Sequence, residues 1–297
     1  MFYFTEKKYY SKKAINIYKK IGPIISYKND SVKVLVIRLN YKIEKNFLKD
    51  FKNLKFIVSN TTGLDHIEKK FCEKKNIKIL SLNNVKKKIK DIYSTADLTI
   101  GLLISLVRNI NLSNKHIVKY KKFERYNFIS HDLDTLTVGI MGYGRLGKRI
   151  QKYAKALGMN TISHDSKNKS SDIKKFINKS NIIVITATSF DGRKVLTRNN
   201  LKFLKKNSYI INTSRFFSVD ENEILKKIKS GFLSGYATDS IDGEYDVNVY
   251  RKNKFFKLSN KYNIIITPHL GGFTYESLNK TEEIMANYFY KNFKNKI

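Results

Sequence analysis

Three short runs end in residues that a buried strand does not need for its own structure. Ile210-Ile-Asn-Thr-Ser-Arg215 carries an arginine directly after an apolar run. A guanidinium there is costly unless it meets an anion, and its planar fork suits a carboxylate bidentately. Ala237-Thr-Asp239-Ser-Ile-Asp-Gly-Glu244 places acids in the next loop, and Ile266-Thr-Pro-His269-Leu-Gly-Gly272 sets one of only two prolines immediately before a histidine. A fourth run, Thr137-Val-Gly-Ile-Met-Gly-Tyr-Gly-Arg-Leu-Gly147, spaces Gly142, Gly144 and Gly147 as G-x-G-x-x-G. The first glycine permits a tight turn, the second lets the backbone approach a pyrophosphate, and the third lets a helix pack closely on the strand. The helix N-terminus then faces the phosphates with N–H groups and a partial positive charge. Asp165 stands 18 residues beyond Gly147, close to the roughly 20 expected for an acid that accepts the ribose hydroxyls of NAD. A carboxylate there repels a 2′-phosphate, so the pattern favours NAD over NADP.

These residues must be held by strands and helices whose alternation is legible. Short extended runs are expected at 2–4, 24–26, 32–37, 55–59 and 77–80, with helical spacing at 12–20, 43–51 and 64–75, which implies a small open α/β sheet. Loops that follow such strands sit at their carboxyl ends, where ligands bind, so Arg38 and Asn60-Thr-Thr-Gly63 are candidate ligand contacts. Asn83 to Asp91, lysine-heavy, reads as a solvated loop or hinge. Residues 95–108 form a strongly apolar helix, capped by Ser94 or Thr95 and expected to be buried between domains. Residues 109–134 read as helical, then irregular. Beyond them, strands are expected at 136–141, 159–164, 181–186, 208–212, 233–237 and 263–267, with helices at 149–157, 171–178, 199–206, 220–229 and 274–291. This completes a second doubly wound sheet.

Composition narrows the setting. A chain of 297 residues, 41% hydrophobic, is long enough for two domains with real cores. The single cysteine, Cys72, excludes an internal disulfide framework and any cysteine metal cluster, so no metal is expected and a reducing cytoplasm fits. The first residues lack the apolar core of a signal peptide, and the most apolar run, 98–107, is too short to cross a bilayer; no membrane partner is expected. The net charge of +33 could mark a nucleic-acid partner. Its lysines, however, are spread along the whole chain and accompany abundant Asn, Ile, Tyr and Phe, as a biased coding sequence would produce. No specific nucleic-acid binding is expected, although a basic field speeds capture of anionic substrates.

Taken together, TTGLDHIE at 61–68, TADLTIGLLISLVRNI, VGIMGYGRLGK, INTSR and ITPHLGGFTYES at 266–277 resemble the D-isomer-specific 2-hydroxyacid dehydrogenases, the phosphoglycerate and glycerate dehydrogenase branch included. The resemblance covers most of the chain. It implies two doubly wound α/β domains: a flavodoxin-like substrate domain formed by 1–93 and 274–297, and an inserted Rossmann NAD-binding domain at 94–273. It implies that His269 is the general acid/base and Glu244 its hydrogen-bonded carboxylate. Arg215 would bind the substrate's carboxylate and keto oxygen, with Asp239 near the nicotinamide carboxamide. On the same basis Arg145 and Leu146 touch the pyrophosphate and Thr213 belongs to the cofactor site. Main-chain groups around Thr61, Thr62 and Gly63 hold the substrate carboxylate, and Arg38 matches a less uniform substrate position. A homodimer is the family's usual assembly, for which the 95–108 helix offers an interface.

The chemistry agrees. A 2-oxo acid needs a cationic clamp, a proton donor to its keto oxygen and a hydride source; Arg215, His269 and NADH supply these, and a carboxylate beside the imidazole favours its proton-donating form. His66, His116, His131 and His164 read as structural or surface residues. Phe216 stands where the family carries glycine, Tyr245 where it carries proline, and Thr186-Ala-Thr-Ser replaces a His-Pro pair, all around the substrate and nicotinamide edge. The expected activity is interconversion of a 2-oxo acid and its (R)-2-hydroxy acid. The alternative is a non-catalytic NAD-sensing or polyanion-binding protein on the same fold.

Overall fold

Alternation along single strands explains why both sheets are covered on both faces. In Val34–Ile37, Val34 and Val36 join one core with Phe2, Phe4 and Phe56, while Leu35 and Ile37 join another with Ile43, Leu48 and Cys72. In Ile182–Ile185, Ile182 and Val184 face one core while Ile183 and Ile185 face the other. Period-two side chains that are apolar on both sides specify a parallel sheet buried between helix layers. The protein is described by a computed structural model covering residues 1–165, 172–187 and 193–297. It divides into two compact units, Met1–Ile92 with Phe273–Ile297, and Tyr93–Gly272.

The first unit contains β1 (Phe2–Phe4), α1 (Lys12–Lys19), β2 (Ile24–Ile25), β3 (Val34–Ile37), α2 (Lys45–Leu48), β4 (Phe56–Ser59), α3 (Lys69–Lys74) and β5 (Lys78–Leu80). Its strands are all parallel in the order β2-β1-β3-β4-β5, the flavodoxin-type winding. The second unit opens with α4 (Ser94–Val107) and α5 (Ile110–Tyr120). It continues through β6 (Thr137–Met141), α6 (Arg145–Ala156), β7 (Asn160–His164), α7 (Ile173–Lys179), β8 (Ile182–Ile185), β9 (Ser208–Asn212), α8 (Glu221–Lys229), β10 (Leu233–Thr238), α9 (Val247–Tyr250), α10 (Lys254–Leu258) and β11 (Ile264–Ile266). Its parallel order is β11-β10-β9-β8-β6-β7. The chain leaves β6 for β7 on one side and returns to β8 on the other, so the topological switch lies at the carboxyl end of β6. The last helix, α11 (Tyr275–Phe293), buries Met285, Phe289 and Phe293 against Phe2, Tyr18 and Phe56 of the first unit.

Several expectations need correction. The 83–91 stretch is not a solvated loop: Leu82–Ile89 is a 3-10 segment capped by Ser81. It sends Leu82, Val85 and Ile89 into the first unit's core, and its lysines take the outer face. The apolar helix α4 is preceded by Tyr93 with no side-chain cap, so neither Ser94 nor Thr95 serves as one. Within the second unit its buried residues Leu102, Leu103, Leu106 and Val107 share a core with Val138, Ile182 and Ile211. Helical spacing at 199–206 yields only a 3-10 turn, Asn200–Phe203, because Leu204 is already extended. The helices expected at 43–51 and 64–75 shorten to α2 and α3, since Ile43 and Ile67 pair with each other as a β-bridge.

Candidate active site

The glycine turn sits at the switch point. Gly142 follows β6 at φ +101°, and a Cβ there would lie 2.5 Å from the Ala187 backbone nitrogen beyond β8. A Cβ on Gly147, in the first turn of α6, would lie 2.3 Å from the Gly142 carbonyl oxygen. Only glycine lets helix and strand close to this distance. Gly144 is different: its φ of −84° suits any residue, and a Cβ would meet nothing within 4 Å. The space in front of it is open and no side chain caps α6, as a turn that receives an anion requires. Asp165 follows β7 and accepts a hydrogen bond from the Tyr143 backbone N–H at 3.3 Å, which fixes the carboxylate beside the turn. Arg145 opens α6, and burial pulls its guanidinium below the ordinary arginine value.

At the carboxyl ends of β9, β10 and β11 the three polar runs meet. Asn212, fully buried, accepts the Ser214 N–H at 3.1 Å and donates to the Arg215 carbonyl at 2.8 Å. It thereby holds the turn that presents Arg215, whose Nη1 donates to the Ser214 carbonyl at 2.9 Å. Asn212 drew no role from its sequence context; an Asn closing a buried strand, able to bond its own following backbone, was the signal. His269 Nδ1 lies 3.0 and 3.1 Å from the two Glu244 carboxylate oxygens, both side chains mostly buried. The acid reaches the ring from a loop turned by Gly243 at φ +75°.

Two assigned side chains make contacts within the fold. Asp239, 3% exposed, accepts hydrogen bonds from Thr267 Oγ1 at 2.6 Å, Leu270 N at 2.7 Å and Gly271 N at 2.7 Å. Its carboxylate thus holds the histidine turn. Burial lifts this carboxyl above its ordinary value, against the pull of Thr267, His269 and the two amides. Thr213 is buried, its hydroxyl 2.8 Å from that of Thr99, which itself donates to the Thr95 carbonyl. The Thr213 side chain thus anchors β9 to α4.

In the first unit, Thr61 to Gly63 follow β4, where Thr61 Oγ1 donates to the Gly63 carbonyl at 2.7 Å and bonds Ser59. Asn60 donates to the Tyr10 hydroxyl, which itself donates to the Ile37 carbonyl. Arg38 does not stand as an open cation. It is buried, ion-paired with Glu282 of α11, bonded to the Tyr9 carbonyl and packed over the Tyr10 ring. Its charge is thus paired inside the fold with Glu282. Thr186 donates to the Gly142 carbonyl at 2.6 Å, and the run after it, 188–192, lies outside the described residues.

A family model described as D-isomer specific 2-hydroxyacid dehydrogenase, NAD binding domain, matches residues 100–271. The chain belongs to this family. It is an NAD-dependent oxidoreductase of the 2-hydroxyacid dehydrogenase type. A glyoxylate reductase of Thermococcus litoralis is 27% identical over 272 residues, covering 86% of this chain and 78% of the relative. A hydroxypyruvate reductase of Thermotoga maritima is 27% identical over 254 residues, covering 83% and 80%. Among solved structures, a D-lactate dehydrogenase of Aquifex aeolicus complexed with NAD and lactic acid shares the fold at a TM-score of 0.78. It has 21% identity and covers 97% of this chain and 94% of that one. The residues present fit the dehydrogenase's cofactor: an uncapped helix N-terminus behind Gly144 for the pyrophosphate and Asp165 for the ribose.

Proposed function

We propose that this dehydrogenase reduces a 2-oxo acid to its (R)-2-hydroxy acid, and runs the reverse oxidation, with His269, Glu244 and Arg215 as its catalytic group. The observation that carries this reading is the pairing of His269 Nδ1 with both oxygens of Glu244. It is a geometry that a non-catalytic NAD sensor has no need to keep. Because Nδ1 faces the carboxylate, Nε2 is the ring nitrogen left to hand a proton to the keto oxygen. Glu244 holds the ring by Nδ1 and so orients Nε2 for the proton transfer. Arg215 offers a planar fork to the substrate carboxylate. When bound, the reduced nicotinamide supplies the hydride to C2. Gly142, Gly144, Arg145, Leu146 and Gly147 hold its pyrophosphate end and Asp165 its adenosine ribose. In the first unit, the Thr61–Thr62–Gly63 backbone follows β4 at the sheet's carboxyl edge, the side on which such sheets bind ligands.

The test is turnover of NADH with glyoxylate, hydroxypyruvate and a bulky aromatic 2-oxo acid, by wild type and His269→Ala. The variant should lose on the order of 10² to 10⁴ in kcat; wild-type turnover by His269→Ala overturns the assignment. The bulk of Phe216 and Tyr245 favours one of the smaller acids as the better substrate. We further place the enzyme in the cytosol, in keeping with its single buried Cys72. We assign it a homodimer through residues 110–129 rather than through α4. No residue of α5 is buried, and Val118, Phe123, Tyr126 and Ile129 are 61 to 83% exposed, an apolar surface that a partner copy would cover. No helix among the described residues is long and apolar enough to cross a membrane.

A further inference from the structure

His269 has φ +56°, in the left-handed region. For a residue other than glycine this conformation is strained and persists only where the surroundings over-determine it. The surroundings here are specific. The His269 N–H donates back to the Thr267 carbonyl at 2.9 Å, closing a three-residue turn around Pro268. The two amides that follow, Leu270 and Gly271, both donate to Asp239, one to each oxygen. Thr267 Oγ1 donates to the oxygen that serves Leu270. From the other side Thr95 donates to the Gly271 carbonyl at 2.8 Å. A Cβ on Gly271 would lie 3.0 Å from Asp239 Oδ2 and 3.1 Å from Thr95, so a side chain there would crowd the clamp.

We infer that Asp239 is the positioning residue of His269: its carboxylate clamps the strained Thr267–Gly271 turn and thereby aims the imidazole at Glu244. The side chain acts through hydrogen bonds to the turn on both its oxygens. It is not a proton donor and need not touch the cofactor. The inference rests on the reading of His269 as the proton donor, since only then does the aim of the ring govern turnover.

Asp239→Asn keeps the shape but turns one acceptor into an NH₂ group, which cannot receive an amide proton. Three readouts decide: hydrogen exchange over residues 267–272, steady-state kinetics, and NADH binding by fluorescence. The clamp predicts that exchange at Leu270 or Gly271 rises about tenfold or more. It also predicts that kcat per folded molecule falls on the order of 10- to 100-fold, as a misplaced group should, while NADH affinity and the KM for the oxo acid change little. Unchanged exchange with weakened NADH binding overturns the inference and makes Asp239 a cofactor contact. A lowered melting temperature with intact kcat overturns it as well, because that is structural support alone. Thr267→Val, which removes one donor and keeps both amide bonds, should show a smaller loss of kcat with NADH binding preserved. If Asp239→Asn does not fold, this variant decides, and wild-type kcat sinks the proposal. Should His269→Ala retain activity, the proton-donor reading fails on its own; the exchange result still reports whether the clamp exists.

Discussion

Adding one methyl group at Gly144 and one at Gly147 separates what the glycine turn does for the fold from what it does for the cofactor. At Gly144 the backbone, φ −84° and ψ −157°, is open to alanine, and among the described residues the new Cβ meets nothing within 4 Å. Folding should therefore hold or gain about 0.4–1 kcal/mol, because alanine restricts the unfolded chain. The methyl projects into the space through which a pyrophosphate must approach. An overpacked contact costs about 1–3 kcal/mol, so NADH affinity should fall about 10- to 100-fold. At Gly147 the same atom would stand 2.3 Å from the Gly142 carbonyl and 3.1 Å from Ile140 Cγ2. That carbonyl also accepts the Thr186 hydroxyl, so the turn cannot yield without losing a second contact. Gly147→Ala should lose about 1–3 kcal/mol or more of stability, a melting shift of about 2–4 °C per kcal/mol for a unit of this size. Thermal melts and NADH fluorescence titrations on both variants read the two effects separately. If Gly144→Ala binds NADH as wild type does, the pyrophosphate does not lie over this turn and the cofactor placement is refuted.

Arg215→Ala should lower kcat/KM for the oxo acid about 10- to 150-fold, the loss of about 1.5–3 kcal/mol of charge-assisted hydrogen bonding. NADH binding should be preserved, and weakened NADH binding instead would move Arg215 out of the substrate site. The wild type should prefer NADH to NADPH by about tenfold or more in kcat/KM, roughly 1.4 kcal/mol, and Asp165→Ala should erode that preference; equal use of both by the wild type contradicts the role of Asp165. Glu221 supplies a pH test: burial pushes its carboxyl from 4.5 up to about 8, Asp242 adding and Lys194 opposing. The folded state thus holds its proton more tightly than the unfolded chain. The stability that follows is complete below about pH 4.5 and is lost as pH rises through 8. Glu221→Gln should remove this component from the melting curve between those values, and parallel pH profiles for the two proteins would show that Glu221 ionises freely.

The sequence by itself determined the strands and the chemistry carried on their ends. Runs such as Val34–Ile37 and Ile182–Ile185 are apolar at every position, which only a sheet covered on both faces tolerates, and the glycine spacing followed by Asp165 identifies a nucleotide turn through local backbone requirements alone. Both signals survive in one dimension because they depend on neighbours in the chain. The use of each polar side chain depends on partners far away in sequence, and there the tertiary structure decided. Arg38 read as a ligand contact from its place after β3, and the fold adds its buried pair with Glu282, brought by α11. Asp239 and Thr213 matched cofactor residues by resemblance, and the fold adds their bonds to the Leu270 and Gly271 amides and to the Thr99 hydroxyl. The lysine-rich 83–91 stretch looked solvated because composition weighs every residue equally, whereas burial selects only Leu82, Val85 and Ile89. The family resemblance could nominate His269 and Glu244, but only the fold could bring Nδ1 within 3.0 Å of the carboxylate. The loop that presents Glu244 must first be turned by Gly243 and the histidine backbone held at a positive φ, and neither constraint is written in the local sequence of the other.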